Sequence, residues 1–361
     1  MVDVNIEVAR ACLVIGLVFT AFFYSRTRLV SGGAITGSYI AFILLTGQWF
    51  DVVGWLVLSL VGMFAIRIAA NYWPLSRTWL YYLGIIVPAT IHTILVYVAH
   101  VPDFAGFSAY LVAGLYVTNG LTAYDMQRQG VFRTLAAIAM VVVATLAVVL
   151  PINLGMNFFS QSQYELNYFT ITEPALILIC ILAAAAVHLS LGWGTAGIIG
   201  ALFLVDILNW QSILLIVAIT GAGAWIAKRV SNKLALTPRQ RLYAILVVAS
   251  IASWFGLFWL DYLGLSAAQF QSEFGVETLL VIGLMINEII KVGATRAYGG
   301  AGIVLLLTAA ANWAFNTGGA TELAVLAGVA IVIIALFGYA IRQEHAKWNL
   351  ALEAGAKWRF S

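Results

Sequence analysis

Thr134 to Ile152 reads TLAAIAMVVVATLAVVLPI, nineteen residues without one charge. A helix rising about 1.5 Å per residue covers the ~30 Å hydrocarbon core of a bilayer in about 20 residues, so this run is long enough to cross a membrane once. Similar runs fill the chain. Crossings are predicted at about 8–24, 29–46, 52–70, 79–99, 107–124, 134–152, 174–190, 195–208, 211–227, 242–262, 276–290, 297–315 and 322–341. Composition agrees: of 361 residues 63% are hydrophobic and 9% charged, where a soluble domain carries about 25% charged residues. Too little charge is present to cover a water-soluble globule. The apolar runs are continuous, which also excludes a membrane β-barrel with its alternating strands of about 10 residues. The expected fold is an all-α polytopic membrane protein with 12 to 13 transmembrane helices.

The charges set the orientation. Alternating the predicted crossings places 17 of the 18 basic residues on one face, from Arg26 and Arg28 through Lys228–Arg241 to Arg342 and Arg359. By the positive-inside rule that face is cytoplasmic, with the N-terminus outside and the C-terminus inside a cell membrane. The acids Asp3, Glu7, Asp51, Asp103, Glu165, Glu173, Asp261, Glu273, Glu277 and Glu322 gather on or near the other face. The N-terminus lacks the basic start of a signal peptide, so the first run is expected to stay as a helix. Cys12 and Cys180 sit in apolar runs and read as packing residues.

Self-similarity organises the whole. Gly120–Gly130 reads GLTAYDMQRQG and Gly283–Gly293 reads GLMINEIIKVG, 163 residues on, with an acid at the sixth position (Asp125, Glu288) and a base at the ninth (Arg128, Lys291). Arg133 and Arg296 keep the same register. Gly33 pairs with Gly197 at 164, and Arg67 with Arg229, Arg77 with Arg239, and Tyr81 with Tyr243 at 162. The expected organisation is a first repeat at 1–152, an outward linker at 153–172, a second repeat at 173–316, an extra helix at 317–341 and a basic cytoplasmic tail at 342–361. Six crossings per repeat is an even number, so both insert in the same, parallel orientation.

At these residues the chain resembles the C subunit (CapC/PgsC type) of the bacterial poly-γ-glutamate synthase complex. That family carries A-G-L-V-V-P-G-Y-L early and G-L-I-A-N-T-I-Q-K-Q-G late. Here Gly32–Ile40, GGAITGSYI, resembles the first, and GLTAYDMQRQG, with Gln127, Gln129 and Gly130, resembles the second. Ala196–Leu204, AGIIGALFL, and GLMINEIIKVG resemble them again, which makes the chain similar to a tandem fusion. The family's Pro-Gly steps are replaced by Gly37-Ser38, Asn119-Gly120 and Ile282-Gly283, and Ile290 and Val292 stand where the flanking glutamines would. The resemblance implies a membrane subunit that works with a cytoplasmic ATP-dependent ligase subunit and an outward-facing polymer-handling subunit on an anionic polymer. The ligase chemistry is absent from this chain, which has no Gly-x-x-x-x-Gly-Lys-Ser/Thr loop, and no catalytic residue is assigned.

Arg128, Arg133, Lys291 and Arg296, flanked by Gln127 and Gln129, are expected to ring the cytoplasmic mouth, where a polycarboxylate or an acidic ligase surface would be held. The plainer reading makes them topology determinants. Asp125 and Glu288 precede their bases by three residues and read as local helical ion pairs. Gly33, Gly37, Gly120, Gly130, Gly194, Gly197, Gly200, Gly283 and Gly293 read as close-packing positions or as breaks in helices, with Ser38 and Tyr39 as polar groups beside one break. His92 and His188 lack a second ligand at i+3 or i+4, so neither a metal nor another cofactor is expected, nor a nucleic acid. The tail with Trp348 and Trp358 suits a helix lying on the bilayer surface. Two other readings remain open: a stand-alone transporter of a small anion, and a structural scaffold.

Overall fold

The computed structural model describes residues 6–45, 47, 49–99, 109–155, 174–195, 200, 210–234, 236–262, 276–317 and 319–353. Among them are twelve α-helices and no strand: α1 (Ile6–Thr27), α2 (Thr36–Leu45), α3 (Trp49–Tyr72), α4 (Arg77–Ala99), α5 (Ala109–Gln129), α6 (Val131–Gly155), α7 (Pro174–Leu191), α8 (Trp210–Leu234), α9 (Pro238–Tyr262), α10 (Val276–Val292), α11 (Ala294–Thr317) and α12 (Ala320–Glu353). Eight of these are long and apolar enough to cross a membrane by themselves. The protein is a polytopic all-helical membrane protein.

Several hydroxyls inside the helices satisfy themselves locally, as an apolar surrounding favours. Ser59, Thr93, Thr145, Ser190, Thr220 and Thr308 each donate to the carbonyl four residues back. Where the chain turns at the basic end, local chemistry fixes the turns. Gly130 and Gly293 take φ of 93° and 88°, a region that costs other residues about 1–2 kcal/mol, and each lets one helix end and the next begin at once. Thr237 and Gln240 form a reciprocal cap on α9, with Pro238 at its first turn.

Helix bounds recur along the chain. α3 and α8 begin 161 residues apart, as do α4 and α9; α6 and α11 begin 163 apart, and α1 and α7 end 164 apart. Packing recurs with them. α1 lies on α6 and α7 on α11; α5 lies on α4, and α10 on α9. The halves meet reciprocally, α1 against α9 and α7 against α4. α12 lies against α7 and α11, and the Glu344 carboxylate on α12 accepts from the Ser76 backbone N–H at 2.9 Å in the turn before α4.

Two sequence expectations change, and a third cannot be compared. The crossing at 29–46 is helical only over Thr36–Leu45; residues 28–35 are not helical, and Arg28, Gly32 and Gly33 among them take positive φ. Its counterpart at 195–208 lies outside the described residues apart from Thr195 and Gly200. The stretch after Arg342 is no separate surface helix as far as Glu353, because α12 continues through it without a break.

Candidate functional site

The unwound segment is held by the late motif. Arg28 ends α1 at φ 60°, and Gly32 and Gly33 follow at 70° and 94°. Gln129, the last residue of α5, accepts from the Val30 N–H at 3.1 Å and donates to the Val30 carbonyl, so one amide satisfies both backbone groups of a non-helical residue. One turn deeper, the buried Asp125 carboxylate accepts from the Gly33 N–H at 3.1 Å. The Thr36 hydroxyl donates to the Gly32 carbonyl. The early and late motifs, about 90 residues apart in sequence, are thus one structure.

Asp125 has partners beyond the expected local one: its carboxylate accepts from a backbone N–H across the bundle and interacts electrostatically with Arg239 as well as with Arg128, whose guanidinium lies over the Tyr124 ring at 5.7 Å. The local ion pair does form in the second half, where Lys291 Nζ lies 3.4 Å from Glu288 Oε1. There the break follows Gly192, at φ 66°, and His188 Nδ1 lies 2.9 Å from the Trp193 carbonyl oxygen. Gly194 sits where a side chain would strike Glu288, and Tyr82 of α4 is hydrogen-bonded to Thr195.

Between the two breaks, at the basic end of the seam, is a cavity of about 450 Å³. Both breaks border it, through Gly33 and Thr195, and Tyr81, Asn287, Glu288 and Lys291 supply polar groups from α4 and α10. Tyr82 closes one side against the His188 ring at 5.5 Å, and Tyr24 meets Tyr243 at 5.2 Å across the reciprocal contact. Asn287 is 2% exposed, and its Oδ1 has no hydrogen-bond partner among the described residues. Tyrosine faces and hydroxyls, a buried amide, a carboxylate and the bases Lys291 and Arg77 meet here. Such a lining can take an amide together with a carboxylate.

Of the expected mouth residues, Lys291 borders this cavity. Arg128, Arg133 and Arg296 are exposed at the same end, Gln127 is half-buried, and Gln129 is committed to Val30. Gly37 meets Val141 of α6, and Ser38 and Tyr39 are buried in α2, with Ser38 donating to the Leu13 carbonyl of α1 at 3.3 Å. Gly120 and Gly283 bring α5 against α4 and α10 against α9. Gly200 is buried, and Gly197 lies outside the described residues. Sequence reasoning missed Tyr82, Tyr124, Thr195 and Asn287. Tyr124 and Asn287 occupy the same place in the two late motifs, one position before the acid, which was the available signal.

Among the described residues no group of His, Cys, Asp and Glu side chains could hold a metal ion. No curated protein and no solved structure matches the chain. One family model does, that of capsule biosynthesis CapC, over residues 15–135. That span contains the early motif, the late motif and the clamp between them, and over it the chain is similar to a CapC-like capsule biosynthesis protein.

Proposed function

We propose that the chain is a membrane subunit for the synthesis and export of an anionic capsule polymer of the poly-γ-glutamate kind, carrying two copies of one CapC-like unit. In this reading the basic end faces the cytoplasm and meets an ATP-dependent ligase, which supplies the bond-forming chemistry. An outward-facing subunit takes the polymer on the other side. The observation that carries the reading is the seam cavity: Lys291 and Arg77 suit carboxylates, while Asn287 and the tyrosine hydroxyls suit the amide links of such a chain.

The test is polymer output in cells carrying Arg77→Ala with Lys291→Ala, with membrane abundance measured alongside. Losing two charge-assisted contacts should lower output by about tenfold or more while the protein stays in the membrane. Normal output would sink the reading. Transport of a small anion into liposomes containing this chain alone would favour the stand-alone transporter instead.

A further inference from the structure

One pair of corresponding helices packs differently in the two halves. In the first, Gly62 of α3 faces Gly84 and Pro88 of α4 and Ala123 of α5, so closely that an added Cβ at Gly62 would lie 2.9 Å from the Gly84 carbonyl oxygen. α3 therefore runs along α4. In the structure these helix pairs start 161 residues apart, one fewer than the spacing of their paired arginines and tyrosines, and in that register Gly223 stands for Gly62 but Ile245 for Gly84. The bulk of Ile245 removes the close approach, and Gly223 meets only the side chain of Ile286 on α10. α8 touches α9 over a short stretch and then leaves it.

The result is a groove of about 510 Å³ between α8, α9 and α10, walled by aliphatic side chains such as Ile219, Ile226, Val248 and Ile282. Its polar members are few and include Arg241, Ser231 and Ser253. Arg241, on the first turn of α9, has a buried Nε with no hydrogen-bond partner among the described residues. Exposed Lys228 and Lys233 stand near the same end, and Arg229 is engaged over the Trp225 ring at 3.8 Å. The N-terminus of α9 adds its own partial positive charge.

The geometry points to an anionic phospholipid as the occupant, with an acyl chain in the groove and its phosphate on Arg241. An acyl chain fits the narrow apolar part, and a phosphate matches the basic rim at the depth where headgroups lie. In the first half the close approach of α3 and α4 at Gly62 and Gly84 occupies the corresponding place.

Native mass spectrometry of the purified full chain, with phosphatidylglycerol or phosphatidylcholine of matched acyl chains, tests this. Retention of phosphatidylglycerol over phosphatidylcholine is expected. Arg241→Gln should reduce that retention about fivefold, the value of one basic residue at an anionic surface. Ala252→Phe, on the open wall of the groove, should do the same by filling it. Equal retention of the two lipids, or unchanged retention in Arg241→Gln, overturns the proposal. Should Arg241→Gln fail to fold, unchanged retention in Ala252→Phe overturns it as well. Thermal protection by inorganic phosphate equal to that by phosphatidylglycerol would assign the site to a free anion and overturn the lipid assignment too.

Discussion

Gln129 shows how one side chain can stabilise a break in a membrane helix. Non-helical residues inside a helical bundle leave their N–H and C=O groups unpaired, and each costs about 1–3 kcal/mol when buried without a partner. A glutamine amide carries one donor face and one acceptor, which is what Val30 lacks, and the contact also reaches the Thr134 hydroxyl at 3.0 Å. Gln129→Leu keeps the size and removes both bonds. It should lower stability by about 2 kcal/mol or more, seen as a drop of several degrees in thermal unfolding of the detergent-purified protein. An unchanged transition would mean that the clamp is incidental. The residues of this clamp were visible in the sequence as motif members, but their roles were not. Spacing along one helix reveals i,i+3 neighbours such as Asp125 and Arg128, whereas the partners that matter, Gly33 and Val30, lie 92 and 99 residues away. In the second half Val292 replaces the glutamine, and the local reading of Glu288 with Lys291 holds.

At the scale of elements, the first glycine of each late motif sets a helix pair. A Cβ added at Gly120 would meet the backbone of Ile85, which cannot move without moving α4. One added at Gly283 would meet first the end of the Leu246 side chain at 2.9 Å, which can rotate away. Gly120→Ala should therefore cost about 1–3 kcal/mol and Gly283→Ala distinctly less, both read from thermal unfolding. Equal costs would show that the two helix pairs yield alike. The long apolar runs made the crossings legible because composition and length suffice for that inference. The break at 28–35 was harder, since LVSGGAIT is still largely apolar and only glycine pairing hints that the helix starts at Thr36. The sequence sets the end of α12 too early for a related reason. RQEHAKWNLALE is polar, which ends a membrane run, yet nearly all of it favours helix, and the helix continues.

For the whole molecule, the reciprocal seam carries the most weight. α1 with α9 and α4 with α7 are the same contact made twice with the halves exchanged, the pattern of a self-complementary interface. The seam is closed by packed apolar surface and by the paired rings Tyr24–Tyr243 and Tyr82–His188. α12 fastens it from outside, reaching the first half through Glu344 at Ser76 and through Phe337, whose ring centroid is 6.2 Å from that of Trp79. An interface of this kind does not need the covalent connection between α6 and α7. Residues 1–160 and 161–361, expressed together as separate chains, should therefore insert side by side and co-purify through a tag on either fragment. Adding Tyr24→Ala and Tyr82→Ala to the first fragment should reduce the recovered partner, because these substitutions remove one ring from each of the two equivalent contacts. Recovery of the tagged fragment alone, with its partner present in the same membranes, would show that the seam depends on the linker and that the cavity between the breaks is not held by the halves themselves.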